Sequence, residues 1–190
     1  RPPPISTLFP STTLFRSTGL VVGNSSGNDN DDCDGGGNCD GILGTDGRYY
    51  DTIDSAGCAK NNITVGNLTD DGVNIAMSSS TGPMDDGRIK PDLVANGTSL
   101  ISPCFDSDNP GQNNVYCNFG GTSMATPTVV GAMTLLYEHF TTVYGGVTPA
   151  ADTLKAIAVN TAVDLGIAGP DYTFRSEERR VGKECRYRWW

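Results

Sequence analysis

Apolar residues recur at every third or fourth place along one stretch of the chain: Val129, Val130, Met133, Leu136, Tyr137 and Phe140. That spacing predicts a helix from Thr122 onward with one buried face. Thr122 stands where a helix cap is expected. Pro127 is read as falling in the first turn or so, where few N–H groups need an intrahelical partner. A second helix is predicted over 150–161, presenting Leu154, Ile157, Ala158 and Thr161. Upstream the pattern shortens. GLVVGNSSGN opens with a strand over 20–22 and runs into a Gly/Asn turn. NNITVGN, residues 61–67, is β-branched and bounded by turn residues, which predicts a strand. VNIAMSSSTGP, residues 73–83, reads as a strand ending in small residues, and RIKPDLVANG as a brief extended segment and a turn. Residues 29–51 form a loop dense in Asp, Asn and Gly with little to bury. Strands alternating with helices favour an α/β layer arrangement around a mostly parallel sheet. No internal repeat is present.

The two ends change this picture. Residues 175–185, RSEERRVGKEC, can be encoded by a DNA string whose reverse complement translates as TLFPYTTLFRS. That matches residues 7–17 at every position but Ser11, which one base separates from Tyr. Two protein ends encoding opposite strands of one string point to translated sequencing-adapter DNA. Residues 1–17 and 175–190 are therefore expected to be artefact without structure, and 18–174 to be the body, cut at both ends. A body of this size supports one respectable core and is short for many complete enzyme domains.

Of 13 basic and 22 acidic residues, the ends hold eight and three, leaving the body at five against 19, a net charge of −14. Such acidity argues against a nucleic-acid partner, whose phosphates would be repelled. No apolar run approaches the roughly 20 residues of a membrane helix. Five cysteines belong to the body: Cys33, Cys39, Cys58, Cys104 and Cys117. None forms a C-x-x-C pair, and all lie in polar Gly/Asn/Asp-rich stretches, which suggests disulfides and a secreted location. Cys33–Cys39 and Cys104–Cys117 are the favoured pairings, with Cys58 left over.

The chemistry is concentrated in GGTSMATPTVVG, residues 120–131. Two glycines let the backbone turn tightly and come close to a ligand. Ser123 then falls at the N-terminal end of a helix, where free N–H groups and the dipole favour developing negative charge. The string resembles the nucleophile segment G-T-S-M-A-x-P of the subtilisin-like serine proteases, the subtilases. SSSTGPMDDGRIKPDLVANGT, residues 78–98, is similar to that family's S-S-x-G-P…D-G-R-I-K-P-D segment, with Asn96 where proline is usual. AKNNITVGN and NTAVDLGIAGPDYTF resemble two further family stretches, so the likeness covers almost all of the body.

The resemblance implies a truncated three-layer α/β subtilisin-like fold and a serine endopeptidase acting on polypeptides. Ser123 would be the nucleophile. The family's aspartate and histidine precede it in D…H…S order and are absent from this sequence. The chain alone is accordingly expected to be inactive. The one histidine, His139, lies 16 residues beyond Ser123 on the same predicted helix, about 24 Å away at 1.5 Å per residue. A base must come within hydrogen-bond reach, so His139 is an ordinary helix residue.

Two asparagines, Asn24 and Asn28, follow glycines and are candidates for the oxyanion donor. The family's spacing from the strand glycine, here Gly19, selects Asn28. By the same carry-over Ser25, Ser26 and Gly27 form one wall of the primary specificity pocket. Asp54 takes the position of a glycine at its base, where a carboxylate would favour Lys or Arg on the acyl side of the scissile bond; the plainer reading is an exposed loop aspartate in an acidic protein. The chemistry requires no cofactor and no catalytic metal. The loop over 28–41 opens like a calcium loop but carries Gly41 where an EF-hand needs Glu; it could hold a structural calcium ion of another kind. A monomer is expected. The other function class is a non-catalytic homologue serving as a secreted binding module.

Overall fold

A computed structural model describes residues 21–30, 42–104, 115–166 and 171–173. The expected artefact ends and residues 31–41 of the acidic loop, with the Cys33–Cys39 pairing, lie outside these residues, whereas 42–50, expected to belong to that loop, form a short hairpin.

Three strands form a parallel sheet in the order β1–β4–β5: β1 (Gly23–Ser25), β4 (Ile63–Leu68) and β5 (Leu93–Asn96). The register pairs Gly23 with Ile63 and Val65 with Leu93. Two antiparallel hairpins flank it: β2 (Ile42–Leu43) with β3 (Tyr49–Tyr50), and β6 (Leu100–Pro103) with β7 (Tyr116–Phe119). Helices α1 (Thr122–Val143) and α2 (Ala151–Thr161) follow.

Period-2 alternation organises the core. Ile63 and Val65 of β4 and Leu93 and Ala95 of β5 pack with Ala125, Val129 and Met133 of α1 and Leu154 and Ala158 of α2. Leu68 and Val94 pack instead with Ile75 of the loop that follows β4. β4 is therefore buried along its whole length, as expected of a parallel strand covered on both faces.

Several sequence expectations shift. The strand expected over 20–22 enters the ladder only at Gly23, although Val22 is buried and its carbonyl accepts the Ile63 N–H at 2.6 Å. Residues 73–83 form turns with a single bridge, Leu68 to Ile75, and not a strand. Their small side chains are buried for another purpose: Ser79 Oγ accepts the Asn67 N–H, and Thr81 exchanges hydrogen bonds with Thr52. On α1 the buried face runs through Thr122, Ala125, Thr126, Val129 and Met133, while Val130 and Phe140 are only half-buried. Pro127 is the sixth helical residue, beyond the first turn, so it removes the N–H that would reach the Ser123 carbonyl.

Cys104 and Cys117 form the expected disulfide, with Cα atoms 5.7 Å apart. Cys117 sits in β7 rather than in a loop, so the bond ties that strand to the residue just past the end of β6. Cys58 is free. Asn96, which replaces the family's proline, spends its side chain on the turn after β5: its Oδ1 accepts the Thr98 N–H at 2.9 Å and its Nδ2 donates to Asp70.

Candidate active site

β1 and β5 both end at the N-terminus of α1, the place where open α/β sheets hold their ligands. Gly97, just past β5, accepts the Gly121 N–H on its carbonyl at 2.9 Å. A Cβ on Gly97 would lie 2.4 Å from the Gly121 oxygen and 2.7 Å from the Ala125 nitrogen, so only glycine lets the turn and helix approach this closely. Gly121 itself has φ of 139°, a conformation that disfavours any side chain.

Gly121 is the N-cap residue, and no side chain of its own caps the helix. Thr122 is the first helical residue, not the cap expected of it. A distant residue takes that role: Asn28 Oδ1 accepts the Thr122 N–H at 2.9 Å and the Thr122 hydroxyl at 3.1 Å. The Thr122 hydroxyl also reaches the Gly27 carbonyl at 3.3 Å. Two donors on one carboxamide oxygen fix which end of the amide points at the helix, because only the oxygen accepts. The Asn28 amide nitrogen has no acceptor among the described residues.

The N–H groups of this helix start can be counted individually. That of Gly121 goes to Gly97, that of Thr122 to Asn28, and that of Met124 to the Gly121 carbonyl. The Ser123 N–H has no acceptor among the described residues. Ser123 is half-buried as the second residue of α1. An unspent backbone donor and an unspent carboxamide donor thus stand at the same helix end, where the macrodipole favours an anion.

The remaining candidates line the segment leading to Asn28. Ser25 closes β1 opposite Val65. Ser26 is fully buried; its N–H donates to the Val65 carbonyl and its own carbonyl accepts the Asp54 N–H at 2.8 Å. The Ser26 hydroxyl has no hydrogen-bond partner among the described residues. Gly27, with φ of 111°, accepts the Ser80 N–H at 3.0 Å. Asp54 is exposed and lies beside Ser26 through that backbone bond. Asn24 turns the other way: it is buried and its Nδ2 donates to the Ala56 carbonyl at 2.9 Å. His139 is exposed on the same helix as Ser123 and remains about four turns away. Sequence reasoning missed the part played by Thr122; a hydroxyl residue directly before the serine was the available signal, but it also suits a plain cap.

The family model described as "Subtilase family" matches residues 11–176. This chain belongs to the subtilase family. A stretch of 99 residues in this subtilase is 35% identical to C5a peptidase of Streptococcus pyogenes, covering 51% of this chain and 8% of that protein. Over 108 residues it is 35% identical to the serine protease/ABC transporter B family protein tagD of Dictyostelium discoideum, covering 47% of this chain and 6% of that one. Among solved structures, Sphericase superposes with a TM-score of 0.63 at 21% identity, over 88% of this chain and 50% of its own. A lanthipeptide protease superposes with a TM-score of 0.59 at 18% identity, over 86% and 49%. The subtilase thus spans about half the length of those solved structures and under a tenth of these curated relatives. The structural matches establish the subtilisin-like α/β fold, and the family match a protease domain. No helix among the described residues is long and apolar enough to cross a membrane.

Proposed function

We propose that this subtilase is a serine endopeptidase in which Ser123 is the nucleophile and Asn28 the side-chain oxyanion donor. The observation that carries the reading is the pair of unspent donors, the Ser123 N–H and the Asn28 amide, at one helix end. Ser123 Oγ adds to the scissile carbonyl, its proton passes to a histidine, and the carbonyl oxygen becomes an anion between the two donors. The histidine delivers the proton to the leaving amine, and water then releases the acyl group. That histidine and its aspartate belong to a part of the domain outside this sequence, so the chain alone does not turn over substrate. Thr122 positions Asn28 without touching the substrate.

Ser25, Ser26 and Gly27 form one wall of the pocket for the residue on the acyl side, with Asp54 at its base. The reaction needs no cofactor, and any calcium bound by the loop over 28–41 serves structure. The enzyme acts outside the cell as a monomer on polypeptides, without nucleic-acid or membrane partners.

Peptide hydrolysis by the complete domain tests this. Cleavage is expected, with kcat/KM roughly tenfold higher after Arg than after Phe, the worth of one charge-assisted hydrogen bond. A preference for Phe removes Asp54 from the pocket. Failure to cleave any peptide overturns the reading.

A further inference from the structure

The described residues hold five cationic side chains: Arg48, Lys60, Arg88, Lys90 and Lys155. Arg48 is buried and spends its guanidinium on the Ile75 and Ala76 carbonyls. The other four line one cavity of about 420 Å3, together with Asp92.

Mutual repulsion among four cations must be offset. Asp92 takes up part of it: it pairs with Lys90, both nearly inaccessible to solvent, and with Lys155 at 2.8 Å. Asp86 pairs with Arg88 at 2.7 Å. Lys60 forms no hydrogen bond or ion pair among the described residues. The four cations outnumber the two carboxylates paired with them, Asp86 and Asp92, while Asp54 and Asp85 stand farther off beside Cys58, which Arg88 touches. Lys90 and Asp92 lie in low-dielectric surroundings, where uncompensated charge acts more strongly than in water.

We propose that this cavity is a binding site for a small doubly charged oxyanion of the phosphate or sulfate type. Lys60 and the uncommitted N–H groups of Arg88 supply the direct contacts, and Lys90 and Lys155 the background field. The volume admits one such ion with several waters. A small dianion suits the compact cluster of Lys60 and Arg88; an acidic peptide is the alternative occupant that the test separates. Arg88 Nη1 also donates to the Cys58 carbonyl at 2.9 Å, which fixes the guanidinium at the edge of the cavity.

Binding at this cavity does not depend on Ser123, so its test reads binding alone. Amide shifts of the 190-residue chain are followed during titration with sodium phosphate and, separately, sulfate, at ionic strength held constant with chloride. Saturable shifts at Lys60, Gly87 and Arg88 are expected with both ions. Lys60→Glu should weaken binding about tenfold or more, since a charge-assisted contact becomes a repulsion. Arg88→Gln should weaken it in the same direction. Shifts that do not saturate, that chloride reproduces, or that are unchanged in both variants overturn the proposal. So does an acidic peptide that saturates these amides where phosphate does not.

Discussion

Ser123→Ala in the complete domain is expected to lower kcat by on the order of 10⁶, with KM little changed, a magnitude carried over from a subtilisin, a member of the same family. The alanine keeps the helix start, because Thr122 and Asn28 hold it without the serine side chain. Peptide binding therefore survives, and the loss falls on the chemical step. Activity above water should remain, because the two proposed oxyanion donors would still act on a direct attack by solvent. Steady-state hydrolysis of one peptide by both proteins checks this. A loss of less than about a hundredfold would mean that another group attacks.

Asp92→Asn is expected to destabilise the fold by about 3–5 kcal/mol, because it leaves the buried Lys90 ammonium without its carboxylate. Lys90 also donates to Asn62 Oδ1 and Thr64 Oγ1, each at 2.9 Å, and these neutral acceptors do not replace a charge. Lys155 loses its ion pair in the same change. Burial pushes the Asp92 carboxyl toward its neutral form, but Lys90 and Lys155 outweigh this and hold its pKa below the ordinary carboxylate value. The depressed pKa adds stability that is complete above the ordinary pKa of about 3.9 and lost as pH falls toward the folded-state value. Urea unfolding of the 190-residue chain at neutral pH and near pH 3 measures both effects. At neutral pH the variant's midpoint should fall by roughly 1–3 M. The gap should narrow at low pH, because the Asp92 carboxyl of the unfolded parent takes up a proton there that the folded carboxylate resists. Replacing Lys90 and Asp92 together by Met and Leu should cost less than Asp92→Asn, since no buried charge is then stranded.

What the sequence made legible follows from how local each signal is. The two helices and β4 could be read because their burial follows a simple period and their ends carry turn residues. The hairpin β6–β7 could not: Ile101 and Tyr116 point into solvent, so its strands carry little apolar alternation. Residues 73–83 misled in the opposite sense. Their small and apolar side chains are buried by side-chain hydrogen bonding and by packing on the sheet, which leaves the same imprint as a strand. The place of Ser123 at the start of α1 was legible from a contiguous motif. Choosing Asn28 over Asn24 needed family spacing, since both follow glycine; in the structure Asn28 reaches α1 and Asn24 reaches Ala56. The capping of α1 by Asn28 joins residues 94 positions apart and left no local trace.

The oxyanion site proposed for Ser123 and Asn28 is tested most directly by kcat of Asn28→Ala in the complete domain. Removing one side-chain donor of this kind costs on the order of 10²–10³ in kcat, again a magnitude known from a subtilisin. The predicted result is a fall in that range with KM nearly constant, because the contact forms only as the carbonyl oxygen gains charge. A kcat within a few-fold of the parent would contradict the account.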